Sequence, residues 1–212
     1  MTQHSGRLAS LRDAVFITAA TYISTGLGLV VSMVAARDLG PEAYGKYAYL
    51  VWMSGVLVLC CNHGLAISGI RFISEYLGRG ESQVASQIHA WMGRWQTAST
   101  AIVLALFAAT CWWMPLAGWE SERPLMLGII VVGVAAKASY LFDISIAKGH
   151  KLFVVESLTN TTMSLLYAAT VVVLALCHAS LRTYAISFGV VSFAHLLMAR
   201  HLMRRRGIQA DA

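Results

Sequence analysis

The stretch AVFITAATYISTGLGLVVSMVAA, residues 14–36, runs for 23 residues without a charged side chain. A helix needs roughly 20 predominantly apolar residues to cross a hydrocarbon core of about 30 Å, so this segment reads as a membrane-spanning helix. Arg7 and Arg12 precede it, as basic residues precede a secretory leader. The apolar core of a leader is only about 7–15 residues long, however, which makes a retained first helix the better reading. Val34-Ala35-Ala36 is only a weak cleavage-like end.

Working outward, the connector 37–46 holds Leu39-Gly40-Pro41-Glu42, and Pro beside Gly marks a turn. A second span is expected at 47–70, so the first two helices would form a hairpin. Further apolar runs place a third span at 95–117, ending near Pro115 and Gly118 and with a helix that could begin as early as Gln83. The remaining spans fall at 125–142, 157–181 and 183–199, with Arg182 alone separating the last two. The whole chain is 58% hydrophobic with a mean hydropathy of +0.64, against roughly 45–50% apolar residues in soluble domains. Helices and closed barrels are the only backbones that satisfy their hydrogen bonds in lipid, and these runs far exceed the roughly 9–11 residues of a barrel strand. The expectation is an all-α polytopic membrane protein with six transmembrane helices in one domain, 14–199, between an N-terminal segment 1–13 and a basic C-terminal segment 200–212.

Lysine and arginine bias across short loops sets orientation. With the N-terminus cytoplasmic, the inner side holds Arg7, Arg12, Arg71, Arg79, Arg94, Lys148, Lys151, Arg200, Arg204, Arg205 and Arg206, and the outer side only Arg37, Lys46, Arg123 and Arg182. Both termini are therefore expected in the cytoplasm, and an even span count agrees. The net charge of +6 reads as a topology signal and not as a nucleic-acid surface. The cluster Arg204 to Arg206 would attract anionic membrane lipids at about 1 kcal/mol per charge, or serve simply as a stop-transfer flank.

Chemistry inside the spans is sparse. Thr18, Thr21, Thr25, Gly28 and Ser32 repeat at alternating threes and fours, which puts them on one helical stripe. Ser157, Asn160, Ser164 and Tyr167 do the same in the fifth span. Each stripe is either a close helix-packing surface of small and hydroxyl residues or the wall of a polar cavity. Lys137 is the one formal charge well inside a span, with Gly133 and Tyr140 on its face. A lysine at the bilayer centre costs about 2.5–3.5 kcal/mol on insertion scales and faces a bundle interior or an aqueous cavity, unless its long stem snorkels to the headgroups. His63, beside Asn62 in the second span, and His195 in the last either relay a proton or hydrogen-bond to a neighbouring helix.

Cys60, Cys61, Cys111 and Cys177 lie in apolar runs without zinc-type spacing. They read as small packing residues, with the adjacent Cys60 and Cys61 as an alternative redox pair. No metal site, cofactor, nucleophile motif, paired acids or phosphate loop stands out, so neither catalytic residues nor an enzyme are expected.

The segment RDLGPEAYGKY (37–47), followed after one span by Gly64-Leu65 and RFISEYLGRG (71–80), resembles the opening of bacterial oligosaccharide flippases. These are the polysaccharide transporters of the multidrug/oligosaccharidyl-lipid/polysaccharide exporter superfamily. The matching motif positions are Arg37, Gly40, Pro41, Tyr44, Gly45, Arg71 and Glu75. The resemblance implies movement of a lipid-linked oligosaccharide across a bacterial inner membrane by alternating access between two six-helix lobes, with cationic cavity residues meeting the diphosphate or acidic sugars. It also implies that this chain supplies one lobe, the N-terminal half, and needs either a second copy or a separate C-terminal lobe. The alternatives are a non-transporting structural or regulatory membrane subunit, a truncated remnant, and a drug exporter of the same superfamily. On the transporter reading Lys137 and Tyr140, the Thr18, Thr21 and Thr25 stripe, and Asn160, Ser164 and Tyr167 would wall the substrate cavity, with His63 as a proton relay.

Overall fold

A computed structural model of the chain describes residues 2–113 and 123–208, with residues 2–14, 16 and 17 as backbone alone. The described residues are helical throughout, in the order α1 (Thr2–Asn62), α2 (Leu65–Gly78), α3 (Ser82–Trp113), α4 (Arg123–Gly149), α5 (Phe153–Leu176) and α6 (Leu181–Arg205). The protein is an all-α polytopic membrane protein, with five helices long and apolar enough to cross a bilayer.

The first of those five, Thr18–Asn62, has 45 residues. Run straight it would extend about 68 Å, more than twice a hydrocarbon core. It is instead broken at Gly40, whose φ of 73° and ψ of 171° belong to a region essentially confined to glycine. Pro41 follows as the first residue of the next arm, where its fixed φ suits a helix start and its missing N–H costs nothing. Proline also drives the residue before it out of the α region, so Gly40-Pro41 acts as one device. Each arm, 18–39 and 41–62, is then about 33 Å long, the length of one crossing.

Three expected boundaries move. The second span, expected to run unbroken over 47–70, is interrupted at His63 and Gly64, with φ of 39° and 76°, before α2 begins. The backbone freed there is satisfied locally: Ser99 Oγ from α3 donates to the Cys61 carbonyl (3.0 Å), and Asn62 Nδ2 donates to the Val58 carbonyl (2.9 Å). Neighbouring hydroxyls are how a helix break is tolerated in lipid. The last two helices, expected to divide at Arg182, divide at Cys177–Ser180 instead. There His178 has a φ of 48°, and Ser180, in extended conformation, precedes α6. The polar residues His178 and Ser180 make only a short dip between long apolar runs, so hydropathy averaged over a spanning length does not locate this turn. The helix carrying the fourth span runs to Gly149, beyond the expected 142, and the expected end of the third near Pro115 and Gly118 lies outside the described residues.

On α3, Trp91 and Trp95 near one end and Trp112 and Trp113 at the other are all more than half exposed. Their mean positions lie about 29 Å apart along the axis, close to the hydrocarbon thickness, as expected of aromatic belts at two interfaces.

The core forms around α4, which touches every other helix. One apolar cluster joins α2, α3, α4 and α6 near the end of α4 that carries Ile144, Ile146 and Ala147. A second joins Leu50, Leu57 and Val58 of α1 to Ile130 and Val134 of α4 and Phe188 of α6. The third holds both arms of α1, through Val31 and Tyr47, against Ala168 and Val171 of α5 and Tyr184 of α6. Close approach of α2 to α4 depends on glycine at 149, where an added Cβ would stand 2.7 Å from Ile73 Cβ.

Candidate functional site

The site grows from α4. Lys137 stands near the middle of that helix, and its face at helical spacing carries Gly133, Tyr140 and Leu141. Because Gly133 has no side chain, the Phe188 ring of α6 settles over this face; a Cβ at Gly133 would be 3.4 Å from Phe188 Cε1. Lys137 Nζ lies 5.9 Å from the Phe188 ring centroid, within the range where a cation is attracted to an aromatic face. Tyr140 is held from the opposite helix: its hydroxyl donates to Asn160 Oδ1 (2.9 Å) and lies 3.2 Å from Thr159 Oγ1. The His195 ring rests against the Tyr140 ring, centroids 3.9 Å apart, and its buried Nε2 has no hydrogen-bond partner.

These side chains line a cavity of about 310 Å³ bounded by α4, α5 and α6 and including Lys137, Tyr140, Asn160, Ser164, Tyr167 and His195. Its size falls at the low end of small-molecule pockets. One formal cation, two phenols, an amide, hydroxyls and an imidazole line apolar walls, a combination able to replace part of the water shell of an anionic or hydroxyl-rich group.

Six of the residues singled out by sequence therefore meet in one place: Lys137, Tyr140, Asn160, Ser164, Tyr167 and His195. The fifth-span stripe is the cavity wall, with Ser157 buried below it. The first-span stripe is not brought to this cavity. Thr18, Thr21, Thr25, Gly28 and Ser32 stand on an exposed face of α1, and Thr25 Oγ1 donates back to the Thr21 carbonyl at 2.9 Å. His63 is exposed at the helix break, its Nδ1 3.1 Å from Ser99 Oγ. Phe188 completes the site, and nothing in the periodicity of α6 distinguishes it from a packing residue.

The motif residues build a clamp at the break in α1. Asp38 accepts a hydrogen bond from the Tyr184 hydroxyl (2.8 Å) and pairs with His178 Nδ1 (3.2 Å). The Tyr184 ring meets Tyr47 edge-on, centroids 6.1 Å apart, and Tyr44 lies against Tyr47 at 6.4 Å. The Tyr47 hydroxyl bonds that of Tyr167, which lines the cavity. Arg37 and Gly45 are exposed. In the second motif segment Arg71 is exposed and Glu75 pairs with Arg79 at 2.6 Å, an i,i+4 contact worth about 0.3–0.5 kcal/mol.

A second cavity, of about 1020 Å³, opens on the other side of α4. It is lined by Arg94, Gln96 and His89 of α3, Asp143 of α4, and Arg200 and Arg204 of α6. Among the described residues no group of three His, Cys, Asp or Glu side chains could hold a metal ion.

The fold and the cavity define a multi-pass helical membrane protein with a lysine-bearing cavity between its helices. The family model for polysaccharide biosynthesis proteins matches residues 10–206, nearly the whole chain, and the protein belongs to that family. Comparisons with curated proteins and with solved structures bring no match.

Proposed function

We propose that the chain is one lobe of a transporter that moves a lipid-linked oligosaccharide across the bacterial inner membrane during polysaccharide or cell-envelope biosynthesis. The observation that carries this reading is the cavity in which Lys137 stands with Tyr140, Asn160, Ser164, Tyr167 and His195, in a member of the polysaccharide biosynthesis family. A diphosphate headgroup cannot enter hydrocarbon unaided. In this reading the Lys137 ammonium meets the headgroup charge and the phenols and amide meet sugar hydroxyls. Alternating access requires two bundles around a shared site, so in this reading a second bundle closes the cavity from the side opposite α4 to α6.

The test is genetic and biochemical. Loss of the protein should make lipid-linked oligosaccharide accumulate in the inner leaflet, and Lys137→Ala, at normal membrane abundance, should reproduce at least a tenfold part of that defect. Unchanged export in the variant would remove Lys137 from the mechanism. Normal polymer export in a clean deletion would support a non-transporting subunit, and drug sensitivity with intact surface sugar would support a drug exporter.

A further inference from the structure

The cavity on the far side of α4 has no role in that transport reading. Residues 137, 140 and 141 of α4 line the first cavity, and 139, 142 and 143 line the second. At 100° per residue these sets occupy opposite faces of the helix. The second cavity carries three guanidiniums, of Arg94, Arg200 and Arg204, against the single carboxylate of Asp143. Arg200 Nε donates to Asp143 Oδ2 at 2.9 Å, which orients the side chain and leaves its two terminal amino groups unspent in that bond. No ion pair among the described residues engages Arg94 or Arg204. Gln96, only 3% exposed, spends its Nε2 on Thr100 Oγ1 (3.2 Å), and its Oε1 has no partner.

Depth identifies the ligand's source. Arg94 lies between Trp91 and Trp95 on α3, both more than half exposed and 6.1 Å apart between ring centroids. That pair marks the headgroup level of one leaflet, at the arginine-rich end of the bundle. Met203, Phe142, Ala98, Ala101 and Ile208 give the same cavity an apolar floor.

We infer that this cavity binds one anionic glycerophospholipid of the cytoplasmic leaflet, its phosphate held by Arg94, Arg200 and Arg204 and a headgroup hydroxyl donating to Gln96 Oε1. Arginine suits phosphate through paired N–H donors, and basic pockets between membrane helices are a recurrent form of headgroup site. The volume of about 1020 Å³ accommodates a glycerophosphate headgroup together with the first carbons of its chains. Binding there braces α3 against α6 across α4 on the face away from the Lys137 cavity.

The experiment is native mass spectrometry of the purified full chain titrated with phosphatidylglycerol and, separately, phosphatidylcholine. The expected result is retention of one phosphatidylglycerol in clear preference to phosphatidylcholine. Arg94→Gln with Arg204→Gln should lower the affinity about tenfold with unchanged thermal unfolding, since both side chains are exposed. Lys137→Ala and Lys148→Gln should leave it unchanged, Lys148 being paired with Glu156 at 2.7 Å outside this cavity. Arg204→Lys should keep most of the binding. Equal retention of the two lipids, or an undiminished affinity in the double variant, would overturn the inference. So would displacement of phosphatidylglycerol by inorganic phosphate or by a polyprenyl diphosphate at comparable concentration, because the site would then serve a soluble anion or the transported lipid.

Discussion

Helices α1 and α4 are both apolar enough to cross a membrane, yet they meet different surroundings. In the most apolar stretch of α4, 50% of residues are buried inside the bundle, against 17% in α1. Helix α4 touches every other helix and floors a cavity on each side, whereas α1 keeps a hydroxyl stripe and many large apolar side chains exposed. Hydropathy measures how well a helix tolerates lipid, not whether it meets lipid. Lipid tails are as apolar as leucine, so protein contact is decided by small residues and close fit.

The contrast can be broken first at Gly149. A Cβ there meets Ile73 Cβ at 2.7 Å, and Ile73 is fully buried. Gly149→Ala should therefore cost about 1–3 kcal/mol, the usual range for overpacking, and lower the midpoint of thermal unfolding. Combining it with Ile73→Ala, which removes the Cγ2 that would stand 2.8 Å away but keeps the Cβ, should cost less than the sum of the two single losses, and a strictly additive double variant would show that α2 does not press on α4.

Next in size is Gly40→Ala in α1. Its backbone geometry costs a side chain about 1–3 kcal/mol, without any close neighbour to add a packing term. Unfolding by denaturant should show the loss, whereas wild-type stability would mean that the arms of α1 are not joined as described.

Smaller still is Tyr167→Phe, which removes the hydroxyl contact with Tyr47. About 0.5–1.5 kcal/mol is expected for one hydrogen bond, and a cycle with Tyr47→Phe should show coupling that separate single losses would not. At the low end, the joint change Thr18→Val, Thr21→Val and Thr25→Val on the exposed face of α1 should alter lobe stability by less than about 0.5 kcal/mol. A larger effect would show that this stripe is a packing surface within the lobe.

Much of the fold was legible before any coordinates. Long uncharged runs gave helices of spanning length, and Gly40-Pro41 announced the break in α1 because both residues restrict the backbone by covalent structure alone. The break at His63-Gly64 and the turn at Cys177–Ser180 were not legible as boundaries. Each interrupts the helix over only two to four residues, too short a polar dip to stand out across a stretch of spanning length, and at the first the Cys61 carbonyl is satisfied by Ser99 of α3, 38 residues further along the chain.

For the candidate site the division follows from what periodicity measures. Spacing placed Lys137 with Tyr140, and Asn160 with Ser164 and Tyr167, each on one face of its own helix. The same spacing grouped Thr18, Thr21 and Thr25, and that group faces outward in this lobe. His195 and Phe188 gained their place only from α6 packing against α4, and the basic cavity only from Arg94 meeting Arg200 and Arg204 across more than a hundred residues of chain.

The sequence by itself determined that this protein is a bundle of membrane helices, and pointed to the polysaccharide biosynthesis family. These are properties of single helices and short motifs, set by transfer free energy and backbone restriction. Tertiary structure alone decided which polar stripe became a cavity wall, which histidine joined the lysine, and that α4 separates two cavities. A helix carries its faces in its own periodicity, but what each face meets is fixed only by the close packing of helices far apart in the chain.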